Sequence, residues 1–155
     1  MELTNRLRAE LIRHLPLAEP IRIDEETPIS VLIRQMAEGN RGCVLVEKEG
    51  RLHGLVSERD ILCKVIEKKM GDEEPASSIM STDLKTLFPD DTLDKAIRVM
   101  TEGGYRHVPL VDSNRRILGM ITARNIIDYI SEHFPAEVFN LPPRLDQKMA
   151  SKEGA

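Results

Sequence analysis

The sequence predicts an α+β fold made of two β-α-β-β-α units related by pseudo-two-fold symmetry. Three observations carry that reading. The phrase "GLVSERDIL" (Gly54–Leu62) returns as "GMITARNII" (Gly119–Ile127): glycine, two apolar residues, a hydroxyl, any residue, arginine, then Asp or Asn. Shifting the chain by 65 positions, 54 onto 119, aligns Arg41–Ile66 with Arg106–Ser131 without a gap. Arg41, Leu45, Val46, Arg51, Gly54, Arg59 and Ile61 then meet identical residues at Arg106, Leu110, Val111, Arg116, Gly119, Arg124 and Ile126. Just upstream, "IRQMAEG" (Ile33–Gly39) matches "IRVMTEG" (Ile97–Gly103) at an offset of 64, so the extra residue of the second copy is read at Gly103-Gly104. Self-similarity at a fixed period marks a repeat architecture.

The elements follow in order. Residues 1–17 read as an amphipathic helix, with Leu3, Leu7, Leu11 and Leu15 spaced by four. The first unit, 18–70, opens with a short strand at 21–23. A helix follows, with Thr27 as its N-cap candidate and Pro28 at the first helical position. The β-branched run "CVLVE", the turn "KEGR" and "LHGLVS" read as a hairpin, and "ERDILCKVIEKKM" as the closing helix. Residues 71–78, polar and containing Pro75, form the linker. The second unit, 79–134, repeats the plan: a strand "KTLF" (85–88), a helix capped by Thr92, strands "VPLVD" and "ILGMIT" around the turn "SNRR", and a helix "ARNIIDYISEHF". Residues 135–155 read as an extended, frayed tail. A unit of about 45–50 residues buries too little surface to stand alone, so the two are expected to pack sheet against sheet around one core.

Composition narrows the function. The chain has 155 residues, 41% of them apolar, and no apolar run approaches the ~18 residues of a membrane span. Its first residues carry charges throughout and lack the apolar stretch of a signal peptide. Cys43 and Cys63 read as small core residues of a cytoplasmic chain, not as a disulfide framework. A net charge of -4 argues against nucleic acid as a partner. The histidines show no metal-ligand spacing. No Ser–His or Cys–His arrangement, flanked carboxylate pair or Walker-type loop suggests an enzyme.

The doubled phrase admits two readings. Ser57 with Asp60, and Thr122 with Asn125, have the spacing of a capping box that only closes a helix end. The same strand-to-helix turn presents free N–H groups and a positive dipole end, which suits a phosphate. There the hydroxyls of Ser57 and Thr122 can donate to phosphate, and an acidic residue one turn on can accept from both ribose hydroxyls. Such charge-assisted bonds contribute about 1.5–3 kcal/mol each. Asn125, uncharged, makes the weaker clamp. Arg41, Arg59, Arg106, Arg124 and His107 supply donors for phosphate.

Together with "RHVPLVD" (106–112) and "IMSTDLKTLFPDDTL" (79–93), the doubled phrase resembles the cystathionine β-synthase (CBS) domain pair, or Bateman module. The resemblance covers residues 18–134 or so. It implies a regulatory module that binds an adenosyl ligand in clefts between its repeats. Candidates are AMP, ADP, ATP, S-adenosylmethionine and NAD, with no required cofactor. By that resemblance Asp60 and Asn125 take the ribose position, Ser57 and Thr122 the hydroxyl position, and Arg106 and His107 phosphate contacts. On the 65-residue alignment Arg41 matches Arg106 while Gly42 replaces His107, so equal occupancy of two clefts is not expected. Apolar stripes on the closing helices (Ile61, Leu62, Val65, Ile66; Ile126, Ile127, Ile130) imply a homodimer, and the regulated effector is a separate protein. The competing expectation is a ligand-free scaffold that binds another protein.

Overall fold

The computed structural model describes residues 2–17 and 19–135. Helix α1 spans Glu2–Ala9, and a single 3-10 turn follows at Ile12–His14. The first repeat continues with β1 (Arg22–Asp24), α2 (Ile29–Gly39), β2 (Cys43–Lys48) and β3 (Arg51–Ser57). It closes with α3, an α-turn at Glu58–Asp60 that widens to π-winding over Ile61–Ile66. A 3-10 turn at Ala76–Ser78 leads into α4 (Leu93–Gly103), β4 (His107–Val111), β5 (Ile117–Thr122) and α5 (Ala123–His133). The strands make one sheet in the order β1-β2-β3, with β1 parallel to β2, and one antiparallel pair β4-β5. The tail expected from 135 lies, beyond its first residue, outside the described residues.

Among the described residues, three apolar clusters hold the molecule together. One belongs to the first repeat and centres on Ile29, Leu32, Met36, Val44 and Val56. Another belongs to the second and centres on Leu93, Met100, Val108, Leu110, Ile121 and Ile126. The third joins the repeats: Cys43, Leu45 and Leu52 meet Val111, Ile117 and Met120. Arg115 reinforces this seam, since its carbonyl accepts from the Leu52 N–H at 2.8 Å. Cys63, expected in the core, is exposed instead.

The lead-in to each repeat packs on the other repeat. Ile12 and Leu15 sit in the core of the second, and Ala76 and Ile79 in that of the first. The two 3-10 turns, 64 positions apart at 12 and 76, are therefore one more repeated element. This is why the helix expected over 1–17 stops at Ala9. The Glu10 carbonyl accepts from Leu93, and the N–H groups of Ile12 and Arg13 donate to Asp91 and Pro89. Those bonds replace the helical ones. The linker behaves likewise: the carbonyls of Asp72 and Glu74 accept from Ser30 and Ile29 at the start of α2. With these N–H groups met, Thr27 has no capping duty and Pro28 holds the N-cap without a side-chain bond. Thr92 does cap α4, accepting from the Lys95 N–H at 3.2 Å.

The backbone also relocates the extra residue of the second copy. Val44 faces Val56, and Val108 faces Ile121. The first strands are thus offset by 64 (44 to 108) and the second by 65 (56 to 121). The insertion lies in the hairpin loop between them. Glu49 and Gly50, both at positive φ, form the two-residue turn of the first hairpin. The second closes over Ser113–Arg115, with Arg115 at φ 62 and the Asp112 N–H donating to the Arg116 carbonyl. In place of the alignment read from sequence, Tyr105 is the counterpart of Arg41, Arg106 of Gly42, and His107 of Cys43.

That register explains a missing strand. In the first repeat the Leu45 N–H donates to the Ile21 carbonyl at 2.8 Å, holding β1 against β2. The counterpart of Leu45 is Pro109, which has no N–H to give. The strand expected at 85–88 therefore shrinks to one parallel bridge, Leu87 with Leu110.

Candidate functional site

A cleft of about 400 Å³ opens between the repeats. From the first repeat and its lead-in come Pro20 and Ile21 and the stretch Asn40–Cys43; from the second, Arg106, His107, Met120 and Thr122–Asn125. The structure thus gathers six residues singled out from sequence: Arg41, Arg106, His107, Thr122, Arg124 and Asn125. Ser57, Arg59 and Asp60 are not among the residues that line it. The apolar walls Pro20, Ile21 and Met120 were not legible as cleft residues, because which segments face each other depends on how the repeats pack.

Both phrases form complete capping boxes. The Asp60 N–H donates to Ser57 Oγ at 3.2 Å, and Asp60 Oδ2 accepts from the Ser57 N–H and hydroxyl at 2.9 and 3.1 Å. In the second copy the Asn125 N–H donates to Thr122 Oγ1 at 3.1 Å. Asn125 Oδ1 accepts from the Thr122 N–H at 2.7 Å and its hydroxyl at 2.9 Å.

Beyond the cap the copies diverge. Asp60 is buried, and its Oδ1 accepts from Lys64 Nζ at 3.0 Å and Ser81 Oγ at 3.3 Å. Lys64 also donates to the Ile79 carbonyl at 2.8 Å. The counterpart of Lys64 is Tyr129, which turns instead to α1: its hydroxyl donates to Glu10 at 3.0 Å and accepts from Arg6 at 3.1 Å. Burial pushes the Glu10 carboxyl up, but hydrogen bonds from His14 and Tyr129 and the charge of Arg6 outweigh it and hold the group below its usual range.

The floor of the cleft depends on a glycine. A Cβ at Gly42 would lie 3.0 Å from Glu58 Oε1 and 3.2 Å from His107 Cε1, so the ring and the carboxylate close in where a side chain would stand. Burial lowers the His107 pKa below its ordinary value, against the opposing charge of Glu58 and with help from Arg106. The ring is therefore neutral at pH 7 and can take up a proton when an anion arrives. Burial pushes the Cys43 thiol up to about 12, so it stays protonated and its Sγ sits 3.6 Å from Met120 Sδ. Among the described residues no group of His, Cys, Asp and Glu is placed to hold a metal ion, and no helix is long and apolar enough to cross a membrane.

A module built from two such repeats around a shared cleft defines a recognisable class. The CBS domain family profile matches residues 12–67 and 76–132, and the chain belongs to that family. An uncharacterized protein of Methanopyrus kandleri is 30% identical over 103 residues, 66% of this chain and 53% of the relative. The inosine-5′-monophosphate dehydrogenase of Thermoplasma acidophilum is 30% identical over 127 residues, 82% of this chain but 24% of that enzyme. The chain thus spans about half or less of these curated relatives. Among solved structures, the CBS domain pair of protein MJ0100, in complex with 5′-methylthioadenosine and S-adenosyl-L-methionine, superposes with a TM-score of 0.71 at 22% identity, covering 79% of this chain and 96% of that one. A CBS domain protein from Pyrobaculum aerophilum complexed with AMP gives 0.68 at 24% identity, covering 74% and 88%. At these identities the likeness concerns the fold.

Proposed function

We propose that this chain is a regulatory module, not a catalyst, that senses an adenine nucleotide or related adenosyl ligand and signals to a separate effector protein. The observation that carries the reading is the cleft, where Arg41 from one repeat meets Arg106, His107, Thr122, Arg124 and Asn125 from the other. A ligand seated there touches both repeats at once. It can bias their relative position, as a signal requires, because ligand acts only through different affinity for two states. AMP, methylthioadenosine and S-adenosylmethionine in similar folds support the choice of ligand class. Thermal shift against AMP, ADP, ATP, S-adenosylmethionine and NAD is the test, since a ligand of the native state raises the melting temperature by mass action. No shift with any of them, confirmed by calorimetry, would sink the proposal. The capping boxes would then favour the second reading, a scaffold whose helices bind protein.

We further infer that the working unit is a homodimer. Leu62 and Ile127 occupy equivalent places on α3 and α5, 65 positions apart, and are 63% and 57% exposed; Ile66, a turn beyond Leu62, is 63% exposed. A second copy would cover two equivalent helices with one symmetric contact.

A further inference from the structure

We propose that the cleft reads its nucleotide through phosphate and not through the ribose diol, so that ribose and 2′-deoxyribose nucleotides bind alike. The inference rests on the nucleotide-sensing function proposed above. It turns on what the side chains have left to offer. A ribose diol is gripped by an acceptor that takes the protons of both hydroxyls. Asn125 holds the place of that acceptor, and its orientation is fixed by the cap. The Thr122 backbone N–H can only donate, so the atom 2.7 Å from it is the side-chain oxygen. That oxygen also accepts the Thr122 hydroxyl at 2.9 Å, which fills both its lone pairs. What remains is the amide nitrogen with two N–H donors. Thr122 Oγ1 is itself engaged twice, by this bond and by the Asn125 N–H.

The rest of the polar lining is mostly of the same character. Arg41, Arg106 and Arg124 are permanent donors, His107 becomes one more on protonation, the Asn40 amide can donate as well as accept, and among the described residues no carboxylate lines the cleft. Glu58, outside that lining, stands at Gly42 beside the His107 ring. Arg124 pairs with Asp128 at 3.1 Å on an 80% exposed side chain, a weak tie that an entering phosphate can replace. A donor-rich pocket rewards oxygen atoms that accept, and phosphates carry most of those in a nucleotide.

Titration calorimetry with AMP, ATP and 2′-deoxy-ATP tests this. ATP is expected to bind at least tenfold more tightly than AMP, and 2′-deoxy-ATP within about threefold of ATP. A tenfold or greater loss on removing the 2′-hydroxyl would overturn the inference while leaving nucleotide sensing intact. Failure of all three to bind would overturn both. Asn125→Asp supplies the converse, because a carboxylate can keep the cap with one oxygen and present the other to the diol. It is expected to create a preference for ATP over 2′-deoxy-ATP of about tenfold, with weaker binding of both from the added negative charge. An unchanged ratio in a variant that still melts cooperatively would also overturn the inference.

Discussion

Asp60 and Asn125 hold equivalent places in the two repeats, yet meet different demands. A carboxylate offers about four lone-pair positions, and the Ser57 N–H and hydroxyl, Ser81 and Lys64 supply four donors to Asp60. These bonds close α3 and tie it to the segment around Ile79. Asp60→Ala should lower stability by about 1–3 kcal/mol, the usual cost of a lost cap and an orphaned partner. Nucleotide affinity should stay within about twofold. Urea melts and calorimetry on the variant check both; a tenfold affinity loss at unchanged stability would instead make the first phrase a clamp.

His107 adds a pH dependence whose sign is fixed. Its folded pKa is depressed by burial, so the neutral ring contributes stability above the unfolded pKa of about 6.5, and that stability is lost as pH falls through the lower folded value. Bound phosphate favours the protonated ring and works the other way. Nucleotide should therefore stabilise the wild type more at pH 6 than at pH 8, beyond any such change in His107→Asn. Melting curves at the two values, with and without ATP, measure that difference.

Among the elements, the matched glycines of the two phrases serve different ends. Gly54 lies under Met80: a Cβ there would stand 2.5 Å from Sδ, 2.8 Å from Cγ and 3.1 Å from Cβ of that side chain. At Gly119 the nearest atom is Leu110 Cδ1 at 3.8 Å, an ordinary contact. Gly54→Ala should cost about 1–3 kcal/mol through overpacking, since the stem of Met80 must move and not just its tip. Gly119→Ala should change stability by less than about 0.5 kcal/mol. Thermal melts of the pair separate them.

The same elements show what the sequence could and could not convey. Apolar periodicity located α2, α4, α5 and both hairpins, because those patterns answer directly to burial. The sequence alone puts the insertion at Gly103-Gly104, since side-chain identities such as Arg41 with Arg106 outweigh a backbone register that no single sequence displays. Pro109 did carry a legible signal: a residue without an N–H inside a paired strand warns that its neighbour strand will be short. The π-winding of α3 rests on backbone bonds from Glu67 to Leu62 and Met70 to Val65, which leave no apolar periodicity to read. Of the site, Arg41, Arg106, His107, Arg124 and the second copy of the phrase are legible in the sequence. That one phrase faces a cleft and the other faces Lys64 is not, because Lys64 reaches Asp60 only once α3 is folded against Ile79.

For the whole molecule, the exposed residues Leu62, Ile66 and Ile127 set the first expectation. Light scattering should give twice the 17.5 kDa chain mass at micromolar concentration. Leu62→Asp combined with Ile127→Asp should return it to a monomer that still melts cooperatively. A wild-type monomer would count against the dimer.

The crossed lead-ins have a consequence for how the chain comes apart. Each half completes its core with the segment that leads into the other half, so neither can open while the other keeps its own packing. The protein should therefore lose structure in a single all-or-none step, not repeat by repeat. Removing residues 1–16 should expose this link at a distance. Amide exchange would quicken first in α4 and β4, far along the chain from the cut, because Ile12 and Leu15 belong to the core of the second repeat. Protection in β2 and β3 would fall along with it, and not survive as an independent half.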